Sequence, residues 1–259
     1  MPMVLYAIDE SIATITLHRP EKLNAIGPAM RDELLRALDS LTANTQIRAL
    51  VITGYGRGFS AGGDIEYLKR LRDTGDEQGF KTMLAKGPQI TRTLRSLPIP
   101  VIAAVNGPCA GAGLCLALSC DIRIASERAA FGPTFARIGL HPDWGGSWFL
   151  PRLVGPAKAC ELVFTGDMIS AHEAEKIGLV NRVTPHDELM PAVLDLASRM
   201  TRNPAGVLRL AKESIYRGLN SDLDGAFARE DDVQVECFRS GDFLEGVTAF
   251  LEKRTPKFK

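Results

Sequence analysis

The residues of this chain best suited to chemistry lie in three small-residue segments and include one aspartate. The segments are Gly58-Phe59-Ser60-Ala61-Gly62-Gly63-Asp64-Ile65, Asn106-Gly107-Pro108-Cys109-Ala110-Gly111-Ala112-Gly113 and Gly139-Leu140-His141-Pro142-Asp143-Trp144-Gly145-Gly146-Ser147. Small residues let main chain approach a ligand closely. A loop that turns into a helix also points unpaired N–H groups outward. Two such loops side by side can offer two N–H donors to one oxygen, which is how an oxyanion is held. Taken singly, each loop reads equally well as a tight turn. Asp143 reads equally as a turn aspartate after Pro142 that caps the next helix.

Other chemistries find less support. No glycine is followed by Lys and then Ser or Thr, so there is no Walker-type phosphate loop. Gly54-Tyr55-Gly56 is not followed directly by a helix signal, which weakens a dinucleotide reading. His18, His141, His172 and His186 show no metal spacing and no Cys-x-x-Cys occurs, so no metal is expected. Cys115 has no neighbouring cue for a base and reads as a packed thiol. His141 reads as a loop histidine able to hydrogen-bond near the third segment. Asp64 and Glu173 read as helix caps.

The elements that must carry these loops follow from periodicity. Met3 to Ile8 and Ile12 to Leu17 alternate like paired strands around a tight turn at Asp9-Glu10-Ser11. Pro28 suits the first turn of a helix, with Met30, Leu34, Leu35, Leu38 and Leu41 on one face. Ala49 to Thr53 reads as a strand, the first glycine-rich loop follows, and helices are predicted from Asp64 and over 78–95. Pro98 to Val105 is the next strand, then the second glycine loop, a buried helix over Leu114 to Leu118, and a strand over Asp121 to Ala125. Strand, glycine loop, helix therefore occurs twice, which argues for α/β architecture with parallel pairing. Beyond about residue 156 the pattern is mainly helical. Ser170 and Glu173 form a capping box, Gly178 ends that helix, Asn203-Pro204 opens another, and Ser221 with Asp224 opens a third.

Composition sets the outer bounds. The 259 residues include 31 Lys plus Arg and 31 Asp plus Glu, a formal net charge of zero that leaves no footprint for nucleic acid or an anionic membrane. No run reaches the roughly 20 apolar residues needed to span a bilayer. The five cysteines, an odd number with no secretory pattern in Met1 to Ala7, lead us to expect a reducing cytoplasm.

Together, Phe59 to Asp64, Pro100 to Gly107, Cys120-Asp121-Ile122-Arg123-Ile124-Ala125 and Gly139 to Gly146 resemble the enoyl-CoA hydratase/isomerase (crotonase) superfamily. So do Asn24-Ala25, Thr165-Gly166, Ala174 to Val183 and Phe250 to Phe258, so the likeness runs nearly end to end. It implies a spiral of ββα units over 1–198 and a helical region over 199–259 that joins subunits into trimers or hexamers. It implies coenzyme A as part of the substrate, with no prosthetic group. The implied oxyanion donors are the amides of Ala61 and Ala112, with Gly111 as the neighbouring alternative. The implied coenzyme A contacts are Lys22, Leu23, Ala25, Ala61, Gly63, Asp64 and Ile65, joined by Phe250 and Lys253 of a neighbouring subunit.

The sequence departs from the hydratase pattern. The two positions where hydratases carry glutamates hold Cys115 and Phe135 here, and neither side chain can shuttle protons as a carboxylate. Asp143 occupies a position that is catalytic in the superfamily's dienoyl-CoA and epoxyphenylacetyl-CoA isomerases. One carboxylate suffices to move a double bond, and an apolar surround from Trp144, Phe135 and Leu140 would raise its pKa. The expectation is therefore an acyl-CoA double-bond isomerase, with Cys115, Phe135 and Trp144 lining the substrate pocket; Trp144, Trp148 and Phe135 read equally as walls of a roomy apolar site or as core. The alternatives are a hydratase or lyase using Asp143 and water, an aspartate nucleophile at Asp143, and a non-catalytic or RNA-binding protein of the same fold.

Overall fold

Alternation brings the first strands together. β1 (Val4–Asp9) and β2 (Ile12–Leu17) pair antiparallel from Val4↔Leu17 to Asp9↔Ile12, turning through Glu10 at φ 50°. Ala13, Ile15 and Leu17 point to the core. α1 (Pro28–Ala43) starts with proline in its first turn and buries Met30, Leu34, Leu38 and Leu41, together with Arg31. The computed structural model describes residues 1–258.

β3 (Ala49–Gly54), α2 (Ile65–Asp73), α3 (Glu77–Ser96), β4 (Val101–Val105), β5 (Cys109–Ala110), α4 (Gly111–Ser119) and β6 (Ile122–Ser126) form the middle of the chain. β7 (Ala130–Gly132), α5 (Gly146–Val154), α6 (Pro156–Thr165), β8 (Ile169–Ser170), α7 (Ala171–Lys176) and β9 (Arg182–Thr184) follow. The main sheet runs β1-β2-β3-β4-β6-β9 and is parallel from β2 onward. A small second sheet, β5-β7-β8, lies across the second glycine loop. The resulting order alternates strands and helices as the α/β expectation requires.

The central strands are buried on both faces, as crossover connections demand. Leu50, Ile52, Ala103 and Val105 face the main core with Phe59, Leu114 and Phe131. Ala49, Val51, Ile102, Ala104 and Ile124 face α8 (Leu189–Thr201), against Leu189, Val193 and Ala197. Each of the valine, leucine and isoleucine side chains among them contributes about 1.5–3 kcal/mol on burial. α8 thus covers the sheet and runs through the expected boundary between 198 and 199.

The remaining helices are α9 (Ala205–Gly218), α10 (Leu223–Phe238) and α11 (Gly241–Leu251). Asp222 caps α10 by accepting the Gly225 amide at 2.8 Å, in place of the expected Ser221. α9 is bound to the core: Lys212 Nζ reaches Asp121 Oδ2 at 2.9 Å and Ile99 O at 3.0 Å, and Tyr216 donates to Asp121 Oδ1 at 2.5 Å. α10 and α11 instead leave Phe227, Phe238, Phe243, Leu244, Phe250 and Leu251 exposed. No helix among the described residues is long and apolar enough to cross a membrane.

Candidate active site

Two buried asparagines shape the first glycine loop. Asn24 Nδ2 donates to Tyr55 O at 3.0 Å and Gly58 O at 2.8 Å, and Asn106 Nδ2 donates to Gly56 O at 2.8 Å. Phe59 is fully buried and anchors the turn from below. The Phe59 and Ser60 amides both donate to Pro108 O at 3.1 Å, and the Ala110 amide donates to Ser60 O at 2.9 Å. The two glycine loops are therefore paired as short lengths of parallel strand. Close approach requires glycine: a Cβ on Gly62, at φ 99°, would lie 2.9 Å from Ala110 O.

Counting backbone amides identifies the open donors. The Ala61 amide donates to Leu23 O at 2.8 Å, that of Gly62 to Ser60 Oγ at 3.2 Å, and that of Asp64 to Ile26 O at 3.4 Å. Among the described residues, the Gly63 amide has no such acceptor. The expected donor Ala61 is thus already committed, because Leu23 at φ 47° turns its carbonyl onto it. The free donor of this loop is two residues further on. α4 begins at Gly111, three residues before the predicted Leu114, which makes Ala112 the second residue of its first turn. First-turn amides lack an intrahelical acceptor, and the capping residue Ala110 offers no side-chain oxygen. Gly63, Gly111 and Ala112 border one cavity of about 340 Å³.

Asp143 lines the same cavity, and no other carboxylate does among the described residues. Oδ1 of Asp143 is buried without a hydrogen-bond partner. Burial raises its pKa, while the Arg31 guanidinium, a backbone hydrogen bond and the neighbouring His141 pull it partly back. Apolar walls come from Phe80, Met83, Leu84, Phe135, Ile138 and Leu140. Ile65, Leu68, Phe80, Ile138 and Leu140 also border a second cavity of about 580 Å³ between α2 and α3.

Phe135 borders the cavity, as its expected pocket role requires, but Cys115 and Trp144 do not. Both are buried behind the wall. The Cys115 sulfur lies under Gly146, where a Cβ would approach it to 2.7 Å, and burial pushes its thiol pKa up. The Trp144 indole lies against Gly87 of α3, where a Cβ would meet Nε1 at 2.5 Å. Trp148 lies outside the cavity, edge-on to Phe149 with ring centroids 5.0 Å apart.

The remaining expected residues sit around the first loop or far from it. Asp64 caps α2 by accepting the Tyr67 amide at 3.1 Å and pairs with Arg19 Nη1 at 2.6 Å. Burial works against its ionised form, but these contacts outweigh it and hold the carboxyl below its ordinary value. Lys22 pairs with Glu66, Ala25 is buried beside the loop, and Ile65 reaches both cavities. Phe250 is exposed on α11 and Lys253 follows it at φ 55°; neither borders the cavity of its own chain. No group of three or more His, Cys, Asp or Glu among the described residues is placed to hold a metal ion.

Arg31 was not singled out by the sequence. It lines the cavity from α1 and is only 2% exposed. The available signal was its place on the flank of the apolar stripe, three residues before Leu34.

The sheet, the paired glycine loops and the C-terminal helices together make this a crotonase-fold protein. The chain belongs to the enoyl-CoA hydratase/isomerase family, whose model matches residues 7–259. It is 41% identical to a probable enoyl-CoA hydratase of Rhodobacter capsulatus, over 98% of this chain and 97% of that one. It is 38% identical to the 1,2-epoxyphenylacetyl-CoA isomerase of Escherichia coli, over 100% and 98%. The crystal structure of an enoyl-CoA hydratase from Bacillus anthracis superposes with a TM-score of 0.94 at 35% identity, covering 99% of each chain.

Proposed function

We propose that this chain is an acyl-CoA double-bond isomerase acting on enoyl-CoA thioesters. The observation that carries the reading is the single carboxylate, Asp143, in a cavity that also offers the open amides of Gly63 and Ala112. The thioester carbonyl oxygen sits between these two donors. Ionised Asp143 removes a proton from the carbon next to the carbonyl, or from the far end of the conjugated system. The electron pair moves onto the thioester oxygen as a dienolate, which the two amides stabilise. Asp143, now protonated, returns the proton at the other end, so no water is consumed. Of the two loop-one candidates, Gly63 takes the oxyanion role and Ala61 a structural one.

The acyl group extends along Phe80, Phe135 and Leu140 toward the second cavity. Coenzyme A lies along Lys22, Leu23, Ala25, Asp64 and Ile65, and Phe250 and Lys253 reach it from a neighbouring subunit. The exposed aromatic residues of α10 and α11 support assembly through the C-terminal helices into a trimer or a hexamer. The five unpaired cysteines suit a reducing cytoplasm.

A second reading, hydration, is favoured by the names of relatives, several of which are hydratases. Against it, neither Cys115 nor Phe135 provides the second proton-transfer group that water addition needs. The test is mass spectrometry of products from 2-enoyl-CoA and 3-enoyl-CoA in heavy-oxygen water. Isomerised product without label supports the proposal; a hydroxyacyl-CoA carrying the label makes the protein a hydratase.

A further inference from the structure

Three of the buried side-chain polar atoms without a partner belong to one cluster: Arg31 Nε, Asp143 Oδ1 and Trp144 Nε1. Arg31 enters from α1. Among the described residues the one hydrogen bond of its side chain runs from Nη1 to Met83 O at 2.7 Å, and its Cζ lies 5.2 Å from the centroid of the Trp144 ring. Among the described residues no direct ion pair joins it to a carboxylate, yet it borders the same cavity as Asp143. A guanidinium has five N–H donors and keeps its charge in proteins. Burying one with most donors unused is costly unless an anion stands nearby. Asp143 is the carboxylate that borders this cavity.

We infer that Arg31 is a positioning residue for the proposed reaction: its buried guanidinium is the counter-charge that keeps the Asp143 carboxylate ionised and open toward the substrate. The inference rests on the reading of Asp143 as the acid/base. The pair is held apart because Arg31 is fixed to Met83 on one side and stacked on Trp144 on the other. A direct salt bridge would occupy the carboxylate oxygens; a separated one leaves Oδ1 free to take a proton from carbon. The groups that face Asp143 are Arg31 from α1, His141 from its own loop and the Cys115 thiol from α4, while Tyr67 of α2 faces Arg31. Arg31 and His141 favour the ionised carboxylate, and Arg31 has the larger effect of the two.

The test is direct titration of Asp143 by carboxyl carbon NMR in aspartate-labelled protein. Its resonance is assigned by its absence from Asp143→Asn. Wild type is compared with Arg31→Gln and Arg31→Lys. The expected midpoint in Arg31→Gln lies about one pH unit or more above wild type, the size of effect an opposite charge nearby exerts. Arg31→Lys should titrate close to wild type, and the acid limb of kcat/KM should move with the midpoint in each variant. An unchanged midpoint in Arg31→Gln overturns the inference. The NMR readout needs no substrate, so it decides the role of Arg31 even if Asp143→Asn retains full turnover, a result that would overturn the isomerase reading instead. If Arg31→Gln fails to fold, the double variant Arg31→Gln/Asp143→Asn decides. Recovery of cooperative unfolding supports the charge pairing; continued failure means that packing or the Met83 bond is what Arg31 serves, and overturns it.

Discussion

Ala110 donates its amide hydrogen to the carbonyl of Ser60 at 2.9 Å, and this bond fixes the spacing between the two glycine loops. The loops come this close because Gly113 has no side chain: a Cβ there would lie 2.6 Å from Ser60 Cβ and 2.7 Å from Ser60 O. Gly113→Ala should therefore push the loops apart. The expected result is a stability loss of about 1–3 kcal/mol from overpacking and a larger fall in kcat than in substrate affinity. Chemical denaturation and steady-state kinetics on the same preparation check both.

Ala112→Pro removes one open amide while keeping a residue tolerated in a first helical turn. Losing one oxyanion donor should lower kcat by roughly a hundredfold or more, about 3 kcal/mol of transition-state stabilisation. Thermal melting distinguishes this from misfolding, since the melting temperature should stay close to wild type.

The raised pKa of Asp143 sets two opposite pH effects. As a base it works only when ionised, so kcat/KM should rise with pH through the raised value and then level off. For stability the sign reverses. A folded-state pKa above the unfolded one gives stability that is fully present below the ordinary aspartate value and lost as pH rises through the raised value. At pH 7 the ionised group is therefore a net cost, and Asp143→Asn should be at least as stable as wild type while inactive. Melting curves at pH 4 and pH 7 check this, with the difference between the two proteins expected at the higher pH.

Lys212 joins α9 to the core through Asp121 and the Ile99 carbonyl, with both charged side chains largely buried. Lys212→Met leaves the Asp121 carboxylate with Tyr216 and the Val101 amide but without the Lys212 cation. Removing one partner of such a pair costs about 3 kcal/mol. Urea unfolding of the variant should show a clearly lower midpoint with an unchanged slope. A C-terminal region that docked independently of the core would leave the midpoint where it was.

The sequence showed the first five strands of the main sheet, the glycine loops and several of the helix caps, because each leaves a local signature. Alternation marked β1 and β2, and Asp64 and the Ser170–Glu173 pair cap the helices they precede. What it could not show was set by contacts between distant residues. The choice between Ala61 and Gly63 depends on where the Leu23 carbonyl points, 38 residues away in the chain, a direction fixed by the left-handed backbone at Leu23. Cys115 and Trp144 read as pocket-lining from their place in the motifs, but their side chains turn toward Gly146 and Gly87. Arg31 drew no reading from the sequence, because its burial depends on α3 and the Asp143 loop closing over α1. The two- and three-residue strands β5, β7 and β8 carry too little pattern to be read alone.

The central claim, that one carboxylate moves a proton on an enolate held by two backbone amides, is tested most directly by hydrogen exchange at the substrate carbon. Wild type and Asp143→Asn are incubated with a 3-enoyl-CoA in deuterated water, and label on the acyl chain is followed by mass spectrometry alongside coenzyme A binding by calorimetry. Wild type should form the shifted double bond, with deuterium entering only to the extent that the proton held by Asp143 exchanges with solvent before its return; in Asp143→Asn both isomerisation and any label should vanish while coenzyme A binding persists. Exchange and isomerisation at the wild-type rate in Asp143→Asn would contradict it.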